Sequence, residues 1–186
     1  MKFDSRDIAL TAVFAALYAV IVIVQGLSAA ATIQLRIADC LIPLSALFGV
    51  PVIFGVTIGC FISNTYTSAA LSNGVYDIAF GPIANLIAAT LIYLLRNRKL
   101  IGCVVGSAVI GLIVGSYIWV IFGPPSDVFG LNFPSGWPIW AASVISITTS
   151  SLVAIAIIGY ILVTILGRKN IIAALRSRGL KVVTEK

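Results

Sequence analysis

Two stretches of this chain, Leu100 to Phe122 and Trp140 to Leu166, carry no charged residue, and each is long enough for a helix to cross a bilayer, which takes about 20 mostly apolar residues. Ile8 to Val24 is a third such run, and Tyr76 to Leu95 a fourth, with Asp77 near its start. Soluble domains are typically about a quarter charged. This sequence is 10% charged and 60% hydrophobic, with a mean hydropathy of +1.13. The fold class these runs select is an all-α integral membrane protein. In 186 residues no polar segment exceeds about twenty, well short of the roughly 50 a soluble domain needs, so any ATP-driven work falls to another polypeptide. The first run continues into Gln25-Gly26 without a small-x-small cleavage site, and reads as a span rather than a signal peptide.

The ambiguous piece is Ile37 to Ile62, apolar but interrupted by Asp39, Pro43, Gly49 and Pro51. Charge placement resolves it, because Lys and Arg concentrate in cytoplasmic flanks. All but Arg36 of the 12 basic residues fall in three clusters: Lys2 and Arg6; Arg96, Arg98 and Lys99; and Arg168, Lys169, Arg176, Arg178, Lys181 and Lys186. A single crossing by Ile37 to Ile62 separates the first cluster from the second. Two crossings, turning at Gly49-Val50-Pro51, bring all three to one side. The expectation is a bundle of six transmembrane helices in one domain, 1–186, with spans near 8–25, 34–48, 51–67, 76–95, 100–122 and 140–166, a basic tail 168–186, and both termini cytoplasmic. The net charge of +6 is thereby explained by the membrane, without nucleic acid. Spans 34–48 and 51–67 reach only about 22 to 25 Å against a core of about 30 Å, implying a depression under the outward loops Gln25 to Leu35, Thr67 to Val75 and Gly123 to Trp137.

Ionisable groups inside a membrane are costly and mark function. Arg36 and Asp39, three apart, share one helix face and suit either a local salt bridge or a ligand. Asp77 suits a helix-dipole partner, a ligand acceptor, or both; Asp127, between Pro124-Pro125 and Phe129-Gly130, reads as a solvated loop acid. Asn64, Tyr66, Asn73, Tyr76, Phe80, Asn132, Phe133, Trp137 and Trp140 gather at the same outer level, with Trp119 nearby. Any one of these rings fits an interfacial belt. Amides and acids interleaved with rings fit a planar heterocycle better. Ala12, Ala15, Ala16 and Ala19 form a small-residue stripe for close helix contact or for a partner. Cys40, Cys60 and Cys103 read as small apolar filler, with neither disulfide nor metal spacing, and the hydroxyl run Thr148 to Ser151 as bonded to backbone or neighbouring helices. Histidine is absent, and neither a nucleophile with a base nor a phosphate loop is present, so no catalysis, metal or cofactor is expected.

These features resemble the substrate-binding S-component of an energy-coupling-factor (ECF) vitamin transporter. The stretch Ile33 to Leu41, then Gly59-Cys60 with Ser63-Asn64, and Gly74 to Gly81 with Leu86-Ile87-Ala88-Ala89, is similar to the QueT-type queuosine-precursor transporters. Asp39 stands where that family usually has Glu. The resemblance implies a multi-pass protein of the plasma membrane, without its own ATPase, partnered by lipid, a transmembrane scaffold protein and two ABC ATPase subunits, with Ala12, Ala15, Ala16 and Ala19 docking on the scaffold. The ligand it implies is a 7-deazaguanine carrying a cyano or aminomethyl group. Its adjacent N–H donors suit Asp39 or Asp77, its carbonyl suits Arg36 or Asn64, and Tyr76, Phe80, Trp137 or Trp140 can stack on the ring. The competing readings are the same architecture with another vitamin-like ligand, and a non-transporting membrane scaffold.

Overall fold

The computed structural model describes residues 4–25, 35–69, 73–123, 125, 127–128, 131–132 and 136–183. Lys2, Ile33, Gln34, Phe133 and Lys186 lie outside them, as does much of the expected outward loops. The chain runs through α1 (Ser5–Gln25), a 3-10 helix (Ile37–Leu44) leading into the single turn α2 (Ser45–Phe48), α3 (Val50–Ser68) and α4 (Val75–Leu94). A 3-10 turn (Arg96–Arg98) precedes α5 (Lys99–Phe122); α6 (Ile139–Ser151) continues through a π-helical stretch (Leu152–Gly159) into α7 (Tyr160–Leu166), and α8 (Lys169–Ser177) follows. Asp127–Val128 pairs antiparallel with Leu131–Asn132 between α5 and α6. Among the described residues five helices are long and apolar enough to cross a membrane: Ser5–Gln25, Val50–Ser68, Val75–Leu94, Arg96–Phe122 and Ile139–Leu166.

The polarity of the bundle is that of a membrane protein. Phe54, Ile58, Phe61 and Ile62 of α3 face outward, while Ser45, Ser63, Asn64 and Ser107 are completely buried. Water would reverse that arrangement; lipid favours it, because polar side chains then find partners only inside.

Glycines set the helix directions. A Cβ on Gly55 would stand 2.6 Å from Phe14 Cβ, and one on Gly59 2.7 Å from the Ala15 carbonyl and Tyr18 Cβ. Position rises along both helices together, so α1 and α3 are parallel. Later neighbours are antiparallel: Gly81 of α4 packs at Asn64 and Cys60, Gly106 of α5 at Ile92 and Ala88, and Gly111 and Gly115 of α5 at Thr148 and Val144 of α6.

Between two parallel helices the chain has to return, and Ile37–Phe48 does so. At its start, Ile37 N donates to Gln25 Oε1 (3.1 Å); near its end, Leu47 O accepts from Val183 N (2.7 Å). Eight 3-10 residues and four α-helical ones rise about 22 Å. Pro43 lies inside the 3-10 helix, where it cannot donate, and its ring is received by Gly159, whose Cβ would be 2.7 Å from Pro43 Cγ. The turn at Gly49, φ 67°, needs glycine, and Pro51 then opens α3.

One end of the bundle is basic. Arg6 Nη1 donates to Gly179 O (3.0 Å), and Lys181 Nζ bridges Asp4 (2.8 Å) and Asp7 (2.7 Å). Gly49 packs beside Tyr93 and Val183, with Arg96 following at the end of α4. The alanine stripe divides by burial. Ala15 and Ala19 are buried, Ala15 against Gly59 of α3, whereas Ala12 and Ala16 are exposed.

Candidate functional site

At the opposite end, α1, α3, α4, α5 and the start of the 3-10 helix converge on two buried carboxylates. Asp77, in the first turn of α4, is 2% exposed. Its Oδ1 accepts from Tyr117 Oη of α5 (3.0 Å) and its Oδ2 from Ser68 Oγ of α3 (3.0 Å). Arg36 Nη2 lies 3.6 Å from the same Oδ2. The carboxylate thus joins other elements rather than capping its own helix.

Gly81, one turn on, has no side chain because Asn64 fills that space; a Cβ there would collide with Asn64 Nδ2. The Asn64 amide instead donates to the Asp77 backbone carbonyl (2.8 Å). That partner can only accept, which fixes which way the amide points. Among the described residues Asn64 Oδ1 is consequently left fully buried with no partner.

Arg36 precedes the 3-10 helix. Its Nη1 contacts Cys60 Sγ (3.6 Å), so Cys60 serves as polar second contact of the guanidinium rather than as filler. Its ion pair reaches Asp77 across the bundle, in place of the local Asp39 pair that the three-residue spacing allows. Asp39, 5% exposed, accepts from Tyr18 Oη of α1 (2.5 Å). Gln25 fastens the approach to this segment, donating through Nε2 to Leu35 O and accepting from Ile37 N. One guanidinium between two carboxylates leaves the site rich in acceptors, suited to a small ligand with N–H donors.

Two rings lie beside the cluster. Tyr76 and Phe80, a turn apart on α4, are stacked (centroids 6.4 Å, 11° between planes), and Phe80 tilts against Tyr117 at 5.8 Å. Both are 43% exposed, leaving faces available. Trp137 and Trp140, exposed, stand where α6 begins. Gly115, which packs on α6, and Tyr117, which reaches Asp77, lie about 200° apart around α5, so α6 packs on the other side of α5 from Asp77.

The structure therefore joins Arg36, Asp39, Asn64 and Asp77 and places Tyr76 and Phe80 alongside. Tyr18, Ser68 and Tyr117 enter the cluster unannounced by sequence patterning. The available signal is chemical: a tyrosine deep in an apolar run has a hydroxyl that needs a partner. The Thr148 to Ser151 run stays out of the cluster: Thr149 and Ser150 donate to backbone carbonyls one turn back, and the Ser151 carbonyl accepts from Ser107 Oγ (3.1 Å).

Residues 8–168 match the family model described as QueT transporter. A curated relative, the queuosine precursor transporter QueT of Lactococcus lactis subsp. cremoris (strain MG1363), is 35% identical over 99 residues, 52% of this chain. That match spans 55% of the relative's length, about half. No solved structure matches. With the family model covering all but the two ends of a multi-pass helical bundle, the chain belongs to the QueT transporter family.

Proposed function

We infer that this chain is the substrate-binding S-component of an ECF-type importer, taking up a 7-deazaguanine queuosine precursor with high affinity across the plasma membrane. The observation that carries the reading is the acceptor-rich cluster of Arg36, Asp39, Asn64 and Asp77, buried at the end opposite the basic residues. A guanine-type edge presents adjacent N–H donors for a carboxylate and a carbonyl for a guanidinium or amide. Tyr76 and Phe80 supply stacking faces, and Trp137 and Trp140 flank the same end of the bundle. The relative's name, a queuosine precursor transporter, agrees with this ligand class.

The membrane arrangement in this proposal is one domain, 1–186, of six crossings with both termini cytoplasmic. The parallel packing of α1 and α3 supports it, because Ile37–Phe48 then serves as the return crossing, and the basic end becomes the cytoplasmic one. Energy comes from a transmembrane scaffold protein and two ABC ATPase subunits, the scaffold docking on the exposed Ala12 and Ala16 face of α1.

Thermal unfolding of the detergent-purified protein with 7-cyano-7-deazaguanine, its aminomethyl analogue and a set of vitamins tests the ligand. A ligand at 100 times its dissociation constant adds about 2.7 kcal/mol. A rise with a vitamin and none with either deazaguanine replaces the ligand; no saturable stabilisation by any of them favours a scaffold.

A further inference from the structure

The two buried carboxylates differ in how fully protein donors occupy them. Asp77 has both oxygens engaged, Oδ1 by Tyr117 and Oδ2 by Ser68 with Arg36 beside it. Among the described residues Asp39 receives a single side-chain hydrogen bond, from Tyr18 to Oδ1, and so retains acceptor capacity on Oδ2. An ionised carboxylate offers about four lone-pair sites, and charge-assisted hydrogen bonds are the strong ones, so a buried carboxylate with one donor is the better acceptor for another molecule. A second acceptor stands by: Asn64 Oδ1, fully buried and without a partner among the described residues, its Nδ2 fixed on the Asp77 carbonyl. Among the described residues Arg36 keeps most of its five N–H donors uncommitted, and its orientation is set by Asp77 and Cys60.

Resting on the ligand class inferred above, we propose that the acids divide the work: Asp39 accepts the ring N–H and exocyclic amine of a guanine-type edge, while Asp77 is a positioning residue that, held by Tyr117 and Ser68, aims Arg36 at the ligand carbonyl. Specificity for the amine then resides in Asp39 and specificity for the carbonyl in the Asp77–Arg36 pair. The segment that carries Asp39 is tied to Tyr18 of α1, and Arg36 to α3 and α4. Both ligand-facing residues thus stand on one segment, each held in place by different helices.

The test titrates three probes into the full-length protein in lipid nanodiscs: 7-deazaguanine; 7-deazahypoxanthine, which lacks the exocyclic amine; and 6-thio-7-deazaguanine, whose sulfur accepts poorly while the N–H donors remain. Wild type is expected to prefer 7-deazaguanine over each analogue by about tenfold or more, the value of one hydrogen bond to a charged group. Asp39→Asn should abolish the preference over 7-deazahypoxanthine and keep the preference over the thione. Asp77→Asn should do the converse. Tyr117→Phe, a smaller change that leaves the ring in place, repeats the second result should Asp77→Asn fail to fold. Loss of affinity for all three probes by one common factor in the Asp77 and Tyr117 variants would reduce Asp77 to a structural role and overturn the proposal, as would loss of the amine preference in Asp77→Asn. Failure of every probe to bind wild type overturns the ligand class and this assignment together. Binding with the ratios exchanged overturns the assignment alone.

Discussion

Tyr18 is a residue whose aromatic ring and hydroxyl do separate jobs. Its Cβ lies where Gly59 lets α1 approach α3, and its hydroxyl supplies Asp39 with a donor in a fully buried setting. Tyr18→Phe keeps the ring and removes the donor, leaving a buried acceptor short of a partner, and is expected to destabilise the protein by about 1 to 3 kcal/mol. The measurement is the thermal midpoint against wild type, and an unchanged midpoint would mean that Asp39 finds another donor. Gly81→Ala tests the neighbouring contact: its Cβ displaces the Asn64 amide from the Asp77 carbonyl, so both stability and affinity for 7-deazaguanine should fall. At this scale the sequence made Arg36, Asp39, Asn64 and Asp77 legible because polar groups in apolar runs stand out energetically. Their pairing was not legible. Spacing rules see neighbours one helical turn away, whereas Arg36 finds Asp77 on another helix, and Tyr18, Tyr117 and Ser68 lie in segments whose mean character hides a single hydroxyl.

α1 presents two faces with opposite duties, one of Ala15 and Ala19 turned into the bundle and one of Ala12 and Ala16 turned outward. Ala16→Leu should therefore leave ligand affinity intact and impair uptake, since overpacking a close interface typically costs about 1 to 3 kcal/mol. Loss of binding along with uptake would relocate Ala16 to an internal contact. The tail after α8 is a second element with a readable test. Lys181 holds the Asp4 carboxyl below its usual range through their hydrogen bond, and Asp4 and Asp7 hold the ammonium above its own. A depressed acid contributes stability that is present above its unfolded value and lost as pH falls through the folded one, so the tail should stay fastened at neutral and weakly acidic pH and release below. Hydrogen exchange at the Val183 amide, bonded to Leu47 O, reports it; Lys181→Ala should give the fast exchange at neutral pH. The five long helices were legible, because an apolar run of that length with so little charge has few other folds. The 3-10 character of Ile37–Leu44 and the π-helical stretch Leu152–Gly159 were not. Pro43 and Gly159, one in each stretch, meet across the bundle, a contact between residues far apart in the chain.

For the whole molecule, the proposed orientation places Arg98 in the cytoplasm. The three native cysteines are buried, so a cysteine introduced as Arg98→Cys should be the site that an impermeant thiol reagent labels, in inverted vesicles and not in intact cells. Labelling from outside would reverse the orientation. The end-to-end separation of basic tail and acceptor-rich cluster was foreseeable from charge placement alone, because basic flanks mark one membrane face. That the two ends are joined by so short a return segment was foreseeable only in part, since Gly49-Pro51 announces a turn without saying what covers the residues before it. That return segment has a consequence for how the protein is made. Ile37–Phe48 is proline-interrupted and shorter than an ordinary span, so emerging from the ribosome it has little reason to partition into lipid unaided. Its cover comes late: Gly159 seats Pro43, and Val183 closes on Leu47, both near the end of synthesis. The segment is thus held in place by residues not yet translated when it leaves the exit tunnel. Packing around Pro43 and Leu47 is therefore expected to be completed only after the residues that seat them have been made.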